Sequence, residues 1–346
     1  MRERLSHLLK LAVGVGLLYF LFRRLEDPAQ LWQQISSANV WLLLMGAACY
    51  ASAVALSAVK WGVLLRAVRL PVPIRRLLAY QWMAEFFNNF LPAQVGGDVM
   101  RGYALAVDTH RNADAAASIL IDRFLGLLVF MVSAAVASVA MFLWGRPGGA
   151  ELTGEQLLFM RLIALGSTAA AVMLLVLLAS LLSRRLKQRA EWLFQRLPFA
   201  SRTVPVWQKL AQAFNAYRHA YPALLLSALI SVVIVVLTSV NIWLITNALV
   251  PGAIGLGEVL AINPIIVFIG LFVPFLPGGL GVRQGAFYST FYLIGRNGDL
   301  GFAVGLLQQL IGLFVSLPGG YLWVRGRPRR EPASLPAESP VEPQLR

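Results

Sequence analysis

A stretch of 35 residues without a charged side chain, residues 223–257, constrains the fold of this chain more than any other feature. It exceeds the roughly 20 apolar residues that a helix needs to cross a bilayer. Further charge-free runs occupy residues 40–59, 124–144 and 162–183. Backbone inside a bilayer must satisfy its own hydrogen bonds, which favours helices. The sequence therefore predicts an all-α protein that crosses the membrane several times.

Composition supports a membrane protein and argues against other classes. The 346 residues are 58% hydrophobic and 13% charged, with a mean hydropathy of +0.69, unlike an average soluble domain. The net charge of +14 resides in short Lys and Arg blocks between apolar runs, a pattern typical of membrane topology and of contact with anionic lipids. No nucleic-acid partner is therefore predicted. One Cys and three scattered His residues provide neither a disulfide framework nor a metal-ligand spacing, so no metal or cofactor is predicted.

The pattern F-L-P-x-x-(V/L)-G occurs twice, at residues 90–96 and 275–281, which are 185 residues apart. Pro and Gly interrupt helices, so each surrounding apolar region, 77–107 and 258–295, reads as two half-helices rather than one span. If both regions turn back as re-entrant hairpins, 24 of the 30 Lys and Arg residues lie on one face. If either region crossed once, a basic segment would move to the opposite face, against the positive-inside rule.

This count predicts six transmembrane helices, the first at residues 11–22 and the last at 300–324, plus two re-entrant helical hairpins. Three spans lie between the two hairpins, so the hairpins should enter from opposite faces. The 185-residue offset also places the span beginning at Val40 over Leu225 and the span beginning at Phe124 over Gln309. We therefore expect inverted-topology repeats, the sequence signature of secondary transporters.

The expected organisation is a single membrane domain, residues 1–324, with half one at about 8–144 and half two at about 157–324. Within half two, residues 184–218 are basic and aromatic, which indicates an amphipathic elbow at the headgroup surface or, alternatively, a solvated cytoplasmic loop. Residues 325–346 are basic, then rich in Pro and Glu, and read as a disordered tail. The predicted location is the cell membrane, with both termini cytoplasmic.

Charged residues follow each break. After the first, Gly96 and Gly97 allow close backbone approach, Asp98 fits a helix N-cap, and Arg101 adds positive charge, a combination suited to a phosphate. Alternatively, Asp98 only caps the helix and pairs with Arg101. After the second break, Arg283 begins a helix. Arginine in a membrane segment indicates function by default, with snorkelling to the interface as the alternative.

Asp122 and Arg123 lie at the head of a span, where they could close a charge network with Asp98 and Arg101 or simply snorkel. The predicted substrate-binding residues are Asn88, Asn89, Gly96, Gly97, Asp98, Arg101, Asp122, Arg123, Gly278, Gly279, Gly281, Arg283 and Gln284.

Three motifs resemble the lysylphosphatidylglycerol synthase transmembrane family, also called the flippase-like domain. They are G-G-D-x-x-R at residues 96–101, D-R-x-x-G at 122–126 and P-G-G-L-G-V-R at 277–283. The resemblance implies two inverted, hairpin-containing halves and movement of lipids between leaflets. Members that make aminoacylated lipids carry a soluble transferase domain after the membrane part, whereas this chain ends at Arg346, so no synthase activity is expected. The family commonly has Glu where this chain has Gln284, which argues against proton coupling through that position.

The sequence thus predicts a translocator for an anionic lipid, either a phospholipid or a polyprenyl-phosphate-linked lipid, and not an enzyme. No catalytic triad, zinc motif or Walker motif is present. Two alternatives stay open: a membrane-embedded enzyme acting on a lipid phosphate, with Asp98 or Asp122 as a base, and a non-transporting partner of a lipid or glycan biosynthesis enzyme. A homo-oligomer is also left open.

Overall fold

The computed structural model describes residues 28–90, 95–143, 153–183, 211–270 and 281–325, together with residues 188, 192 and 208. These residues are predominantly helical, and no strand occurs among them. In chain order the helices are α1 (Pro28–Ser36), α2 (Val40–Ala67), α3 (Ile74–Asn88), α4 (Val95–Thr109), α5 (Asn112–Leu143), α6 (Gly154–Leu182), α7 (Tyr221–Leu249), α8 (Leu256–Gly270), α9 (Val282–Leu293) and α10 (Gly298–Arg325).

Five of these helices, α2, α5, α6, α7 and α10, are long and apolar enough to cross a membrane. They coincide with five of the six spans that the sequence predicts, so the chain is an all-helical, multi-pass membrane protein. The predicted span at residues 11–22 and the tail after Arg325 lie outside the described residues.

Helices α2 and α5 extend beyond the charge-free runs that predict them. Helix α2 continues through Lys60 and Arg66 to Ala67, and α5 begins at Asn112, twelve residues before Phe124. The start of α2 is fixed by Asn39, whose side chain accepts a hydrogen bond from the Trp41 backbone N–H at 3.0 Å. The additional turns place several charged side chains inside helices, where they form ion pairs described below.

Helices α3 and α4 form an antiparallel pair, the first hairpin. The Tyr80 hydroxyl donates to Asp108 near the open end of this pair. Near its closed end, the Gly97 backbone N–H donates to Asn88 Oδ1 at 3.0 Å. Tyr80, early in α3, pairs with Asp108 at the end of α4, whereas Asn88, at the end of α3, pairs with Gly97 at the start of α4. The two helices are therefore antiparallel and the chain reverses direction between them, as the sequence predicts for the first break.

Helices α8 and α9 also pack against each other and form the second hairpin. Glu258, in the first turn of α8, binds Arg296 at 2.8 Å just beyond the end of α9, so the two outer ends of this hairpin lie together. The residues between the two helices, 271–280, lie outside the described part of the chain.

Helices α2 and α7 are antiparallel neighbours. The Asn39 backbone N–H donates to the carbonyl of Ala248 at 2.9 Å, and Asn241 Nδ2 donates to the carbonyl of Gly46 at 2.8 Å. The first hairpin follows directly after the end of α2. The second hairpin follows after the end of α7, which lies beside the start of α2. The open ends of the two hairpins therefore lie at opposite ends of the α2–α7 pair.

The 185-residue offset of the sequence motif also relates the helices. Adding 185 to the bounds of α2, α3, α4 and α5 gives residues 225–252, 259–273, 280–294 and 297–328, which match α7, α8, α9 and α10 within four residues at every end. The packing follows the same relation. Helix α3 packs on α10 as α8 packs on α5, and α2 packs on α3 as α7 packs on α8.

Candidate functional site

A basal charge cluster joins α2, α4 and α5 through Lys60, Asp98, Arg101, Asp122 and Arg123. Arg101 is only 3% exposed. Its Nε donates to Asp98 at 3.0 Å and its Nη2 donates to Asp122 at 2.8 Å. The charge network that the sequence suggests between these two motifs is therefore present.

The remaining faces of the Arg101 guanidinium are also occupied. Its Nη1 donates to Gln81 Oε1 at 3.2 Å, which links α4 to α3. Its carbon lies 5.0 Å from the centre of the Trp61 ring, within the range of a cation–π contact. Trp61 is in turn fixed by a 3.1 Å hydrogen bond from its Nε1 to Ser118. Arg101 therefore links α4 to three other helices, α2, α3 and α5.

Asp122 is buried at 5% exposure and lies between two cations. Besides Arg101, it pairs with Lys60 Nζ at 2.9 Å. Gly126, one turn further along α5, lies beside this ammonium group, since a Cβ at Gly126 would be in ordinary van der Waals contact with Lys60 Nζ at 3.6 Å. Asp122 therefore forms its ion pairs inside the protein and does not snorkel to the interface.

Asp98 is not an N-cap, contrary to the sequence interpretation. Helix α4 begins at Val95, which places Asp98 in its first turn. Its carboxylate binds Arg101 and the exposed Arg123 instead of capping the helix. The basal cluster has three cations and two carboxylates, so its formal net charge is +1, and both carboxylates are engaged.

The segment before α7 covers this cluster. Phe214 is fully buried and its ring centre lies 5.2 Å from that of Phe124. Tyr217 is fully buried too, and this burial, followed by the charges of Asp122 and Asp114, raises the pKa of the Tyr217 phenol above its ordinary range. Most of the predicted elbow at 184–218 lies outside the described residues, but Phe214 and Tyr217 in its last turns pack into a hydrophobic cluster of the protein.

The closed end of the first hairpin is tightly packed. Gly96 and Gly97 are buried, and a Cβ at Gly97 would lie 2.3 Å from the carbonyl oxygen of Ala84. Only Gly allows α3 and α4 to approach so closely here. Asn89 Nδ2 donates to Ser316 Oγ at 3.1 Å and thereby joins this hairpin to α10.

A central cluster consists of Tyr50 on α2, Glu85 near the closed end of the first hairpin and Arg283 at the start of α9. The Tyr50 hydroxyl on α2 donates to Glu85 Oε1 on the first hairpin at 2.5 Å. The Tyr50 hydroxyl also lies beside Gly312 of α10, where a Cβ would be 3.8 Å from it. Arg283, at the start of α9 in the second hairpin, is the neighbour of Gln284, which bonds Gln309 one turn before Gly312 on the same helix. Within the part of the chain that the structure describes, Arg283 makes no hydrogen bond or ion pair.

The start of α9 has the break geometry that the sequence predicts. Gly281 has φ +79°, a left-handed conformation that favours glycine. Its backbone N–H donates to Gln284 Oε1 at 2.8 Å, and the Gln284 amide donates to Gln309 at 3.1 Å. Gln284 is fully buried and so stabilises the turn that presents Arg283. Gly278 and Gly279 lie outside the described residues.

The family model of the lysylphosphatidylglycerol synthase TM region matches residues 7–319. The chain belongs to this family. No curated protein matches the chain. Membership confirms the resemblance seen in the three motifs and indicates a lipid-related function in a membrane.

The family motifs supply two separate clusters rather than one site. Tyr50 and Lys60 lie ten residues apart on α2, which corresponds to about 15 Å along the helix axis. Arg101 therefore belongs to the basal cluster beside Lys60, whereas Arg283 belongs to the central cluster beside Tyr50. That both arginines hold one headgroup stays a prediction, and Arg101 already donates to Asp98, Asp122 and Gln81.

Sequence reasoning misses several contributors to these clusters. Lys60 reads as the end of a charge-free run, although it lies inside α2 and pairs with Asp122. Glu85 reads as one polar residue among several, and Tyr50 gives no signal at all. Among the described residues, no group of three or more His, Cys, Asp or Glu side chains is placed to hold a metal ion.

Proposed function

We propose that this protein moves a lipid with a phosphate in its headgroup, a phospholipid or a polyprenyl-phosphate-linked lipid, between the leaflets of the cell membrane. The observation that carries the proposal is Arg283. It is half-buried at the start of a helix inside the apolar region, and no ion pair among the described residues neutralises it. An arginine in such a position is costly unless it serves a ligand. Its guanidinium and the helix N-terminus suit a phosphate.

The arrangement of the hairpins supports transport over simple binding. Tyr50 lies ten residues after the start of α2, about 15 Å along its axis, which corresponds to the middle of a hydrocarbon core about 30 Å thick. The two hairpins have open ends at opposite ends of the α2–α7 pair. The first reaches Tyr50 through Glu85, and the second begins α9 beside Gln309, one turn from Gly312, which adjoins the Tyr50 hydroxyl. We propose that they are re-entrant, belong to inverted repeats and expose the Arg283 site alternately to each face.

In this proposal the two arginines have different roles. Arg283 holds the lipid phosphate. Arg101, whose donors already serve Asp98, Asp122 and Gln81, positions the first hairpin and holds no lipid. The basic end of α2, which precedes the loop at residues 68–73, faces the cytoplasm according to the positive-inside rule.

The test measures movement of a fluorescent phospholipid across proteoliposomes, using a membrane-impermeant quencher that reports only the outer leaflet. We expect Arg283→Ala to reduce the rate about tenfold or more, because a charge-assisted hydrogen bond contributes about 1.5–3 kcal/mol. Arg283→Lys keeps the charge but loses the bidentate hydrogen bonding to phosphate, so its transport rate should lie between those of the wild type and Arg283→Ala. Arg161→Ala is the matched control, since Arg161 is exposed on α6. Equal rates for Arg283→Ala and Arg161→Ala would contradict the site assignment.

The same reconstitution addresses the enzyme alternative. Asp98 and Asp122 both form ion pairs with arginine, and Asp122 also pairs with lysine, so neither has the free carboxylate that a general base requires. We therefore expect the lipid extracted after transport to have an unchanged mass. A shifted mass that depends on Asp122 would favour the enzyme.

A further inference from the structure

The central cluster contains a second unpaired charge, the carboxylate of Glu85. Glu85 accepts a 2.5 Å hydrogen bond from Tyr50, but among the described residues it has no cation within ion-pair distance. The Tyr50 hydroxyl lies beside Gly312 of α10, and Gln284, the neighbour of Arg283, bonds Gln309 one turn away on the same helix. Among the described residues, Glu85 and Arg283 do not form an ion pair with each other. A carboxylate of the first hairpin and a guanidinium of the second therefore lie near the same stretch of α10 and stay separate.

The charge balance of this cluster restricts its ligand. Glu85 and Arg283 together have a formal net charge of zero. Lys60 lies about 15 Å away along α2, and the charged residues of α10, Asp299 and Arg325, lie near its two ends. A headgroup with one phosphate and no cation would leave the cluster with one uncompensated negative charge, which is costly in this setting.

A headgroup that also carries an ammonium group would avoid this cost. Its phosphate would satisfy Arg283 and its ammonium would satisfy Glu85, and the sum of charges would stay at zero. The two protein groups come from different hairpins, Glu85 from α3 and Arg283 from α9. A ligand that spans them would contact both halves at once, which provides the differential interaction that a ligand-dependent conformational change requires.

We infer that the lipid taken by the Arg283 site is zwitterionic, with a phosphodiester that binds Arg283 and a primary ammonium that binds Glu85, as in a phosphoethanolamine headgroup. This inference rests on the proposed function and narrows its substrate class. It makes Glu85 the residue that selects against headgroups with phosphate alone.

The test compares fluorescent phosphatidylethanolamine with fluorescent phosphatidylglycerol, labelled on an acyl chain, in the proteoliposome assay. The wild-type protein should move phosphatidylethanolamine about tenfold faster than phosphatidylglycerol. This ratio corresponds to the free energy of one charge-assisted hydrogen bond. Glu85→Gln should bring the ratio of the two transport rates close to one, mainly by slowing the transport of phosphatidylethanolamine. The amide oxygen of Gln can still accept the Tyr50 hydrogen bond, so this variant should fold. Glu155→Gln, at an exposed position on α6, should leave the ratio unchanged.

The outcomes separate this inference from the proposed function. Wild-type protein that moves phosphatidylglycerol as fast as phosphatidylethanolamine overturns the inference while leaving transport intact. A preference that survives in Glu85→Gln overturns it as well. If neither lipid moves and neither binds the purified protein in native mass spectrometry, the proposed function fails and the inference fails with it.

Discussion

At the scale of single residues, the basal charge cluster shows why a charge inside a membrane helix is not in itself evidence for ligand binding. Arg101 and Asp122 are almost completely buried, and their charges are satisfied by each other, by Asp98 and by Lys60. Removing one member of such a cluster leaves the others buried without a partner, which costs more than the interaction itself contributes.

Asp122→Asn should therefore destabilise the protein strongly, because Lys60 and Arg101 would both lose their closest carboxylate. We expect a loss of about 3–5 kcal/mol, measured by thermal or denaturant unfolding in detergent. The matched control is Asp114→Asn, which breaks a more exposed pair with Arg111 and should cost about 1 kcal/mol or less. A similar decrease in the free energy of unfolding for both variants would show that the basal cluster adds no more stability than an exposed ion pair.

At the scale of helices, close backbone approach joins the first hairpin to α10. A Cβ at Gly319 would lie 2.0 Å from the carbonyl oxygen of Trp82, whose indole N–H donates to the Val315 carbonyl at 3.0 Å. Small residues at helix contacts are the usual means of tight packing in membranes. The hairpin therefore depends on the glycine for its position.

Gly319→Ala should force α3 away from α10 and cost about 1–3 kcal/mol, measured as a lower unfolding temperature in detergent. Because Glu85 lies on the displaced helix, lipid transport should fall in parallel. Gly154→Ala is the control, since nothing lies within 4 Å of a Cβ at Gly154. An unchanged unfolding temperature in Gly319→Ala would argue against the close contact.

The helices also show what sequence could and could not predict. The F-L-P breaks predict the first hairpin and the start of α9 because Pro and Gly act locally. An N-cap at Asp98 would start α4 too late, because a carboxylate before a helix and a carboxylate in an ion pair look alike in sequence. The pairings of Lys60 with Asp122 and of Tyr50 with Glu85 join residues 62 and 35 positions apart. Such contacts depend on packing that no local pattern encodes.

At the scale of the whole molecule, the account requires the two hairpins to enter from opposite faces of the membrane. The loop before the first hairpin, residues 68–73, lies at one end of the α2–α7 pair. The loop before the second hairpin, residues 250–255, lies at the other end. Pro71 and Pro251 are exposed within these loops and so provide reporters for each side.

Single cysteines at these two positions should react on opposite sides of the membrane. In a Cys49→Ser background, which removes the chain's one native cysteine, Pro251→Cys in intact cells should react with an impermeant maleimide. Pro71→Cys should react only after the membrane is permeabilised. Labelling of both residues from the same side would contradict the opposite entry of the hairpins.

The central claim is that the closed ends of both hairpins form one lipid-phosphate site in the middle of the membrane. The most direct measurement is photo-crosslinking of a phospholipid with a photoreactive headgroup, read out by peptide mass spectrometry. The account predicts labels around Tyr50 and at the start of α9, lost in Arg283→Ala and displaced by excess unlabelled phospholipid. Labels confined to the exposed apolar face of α6, and unaffected by Arg283→Ala, would contradict it.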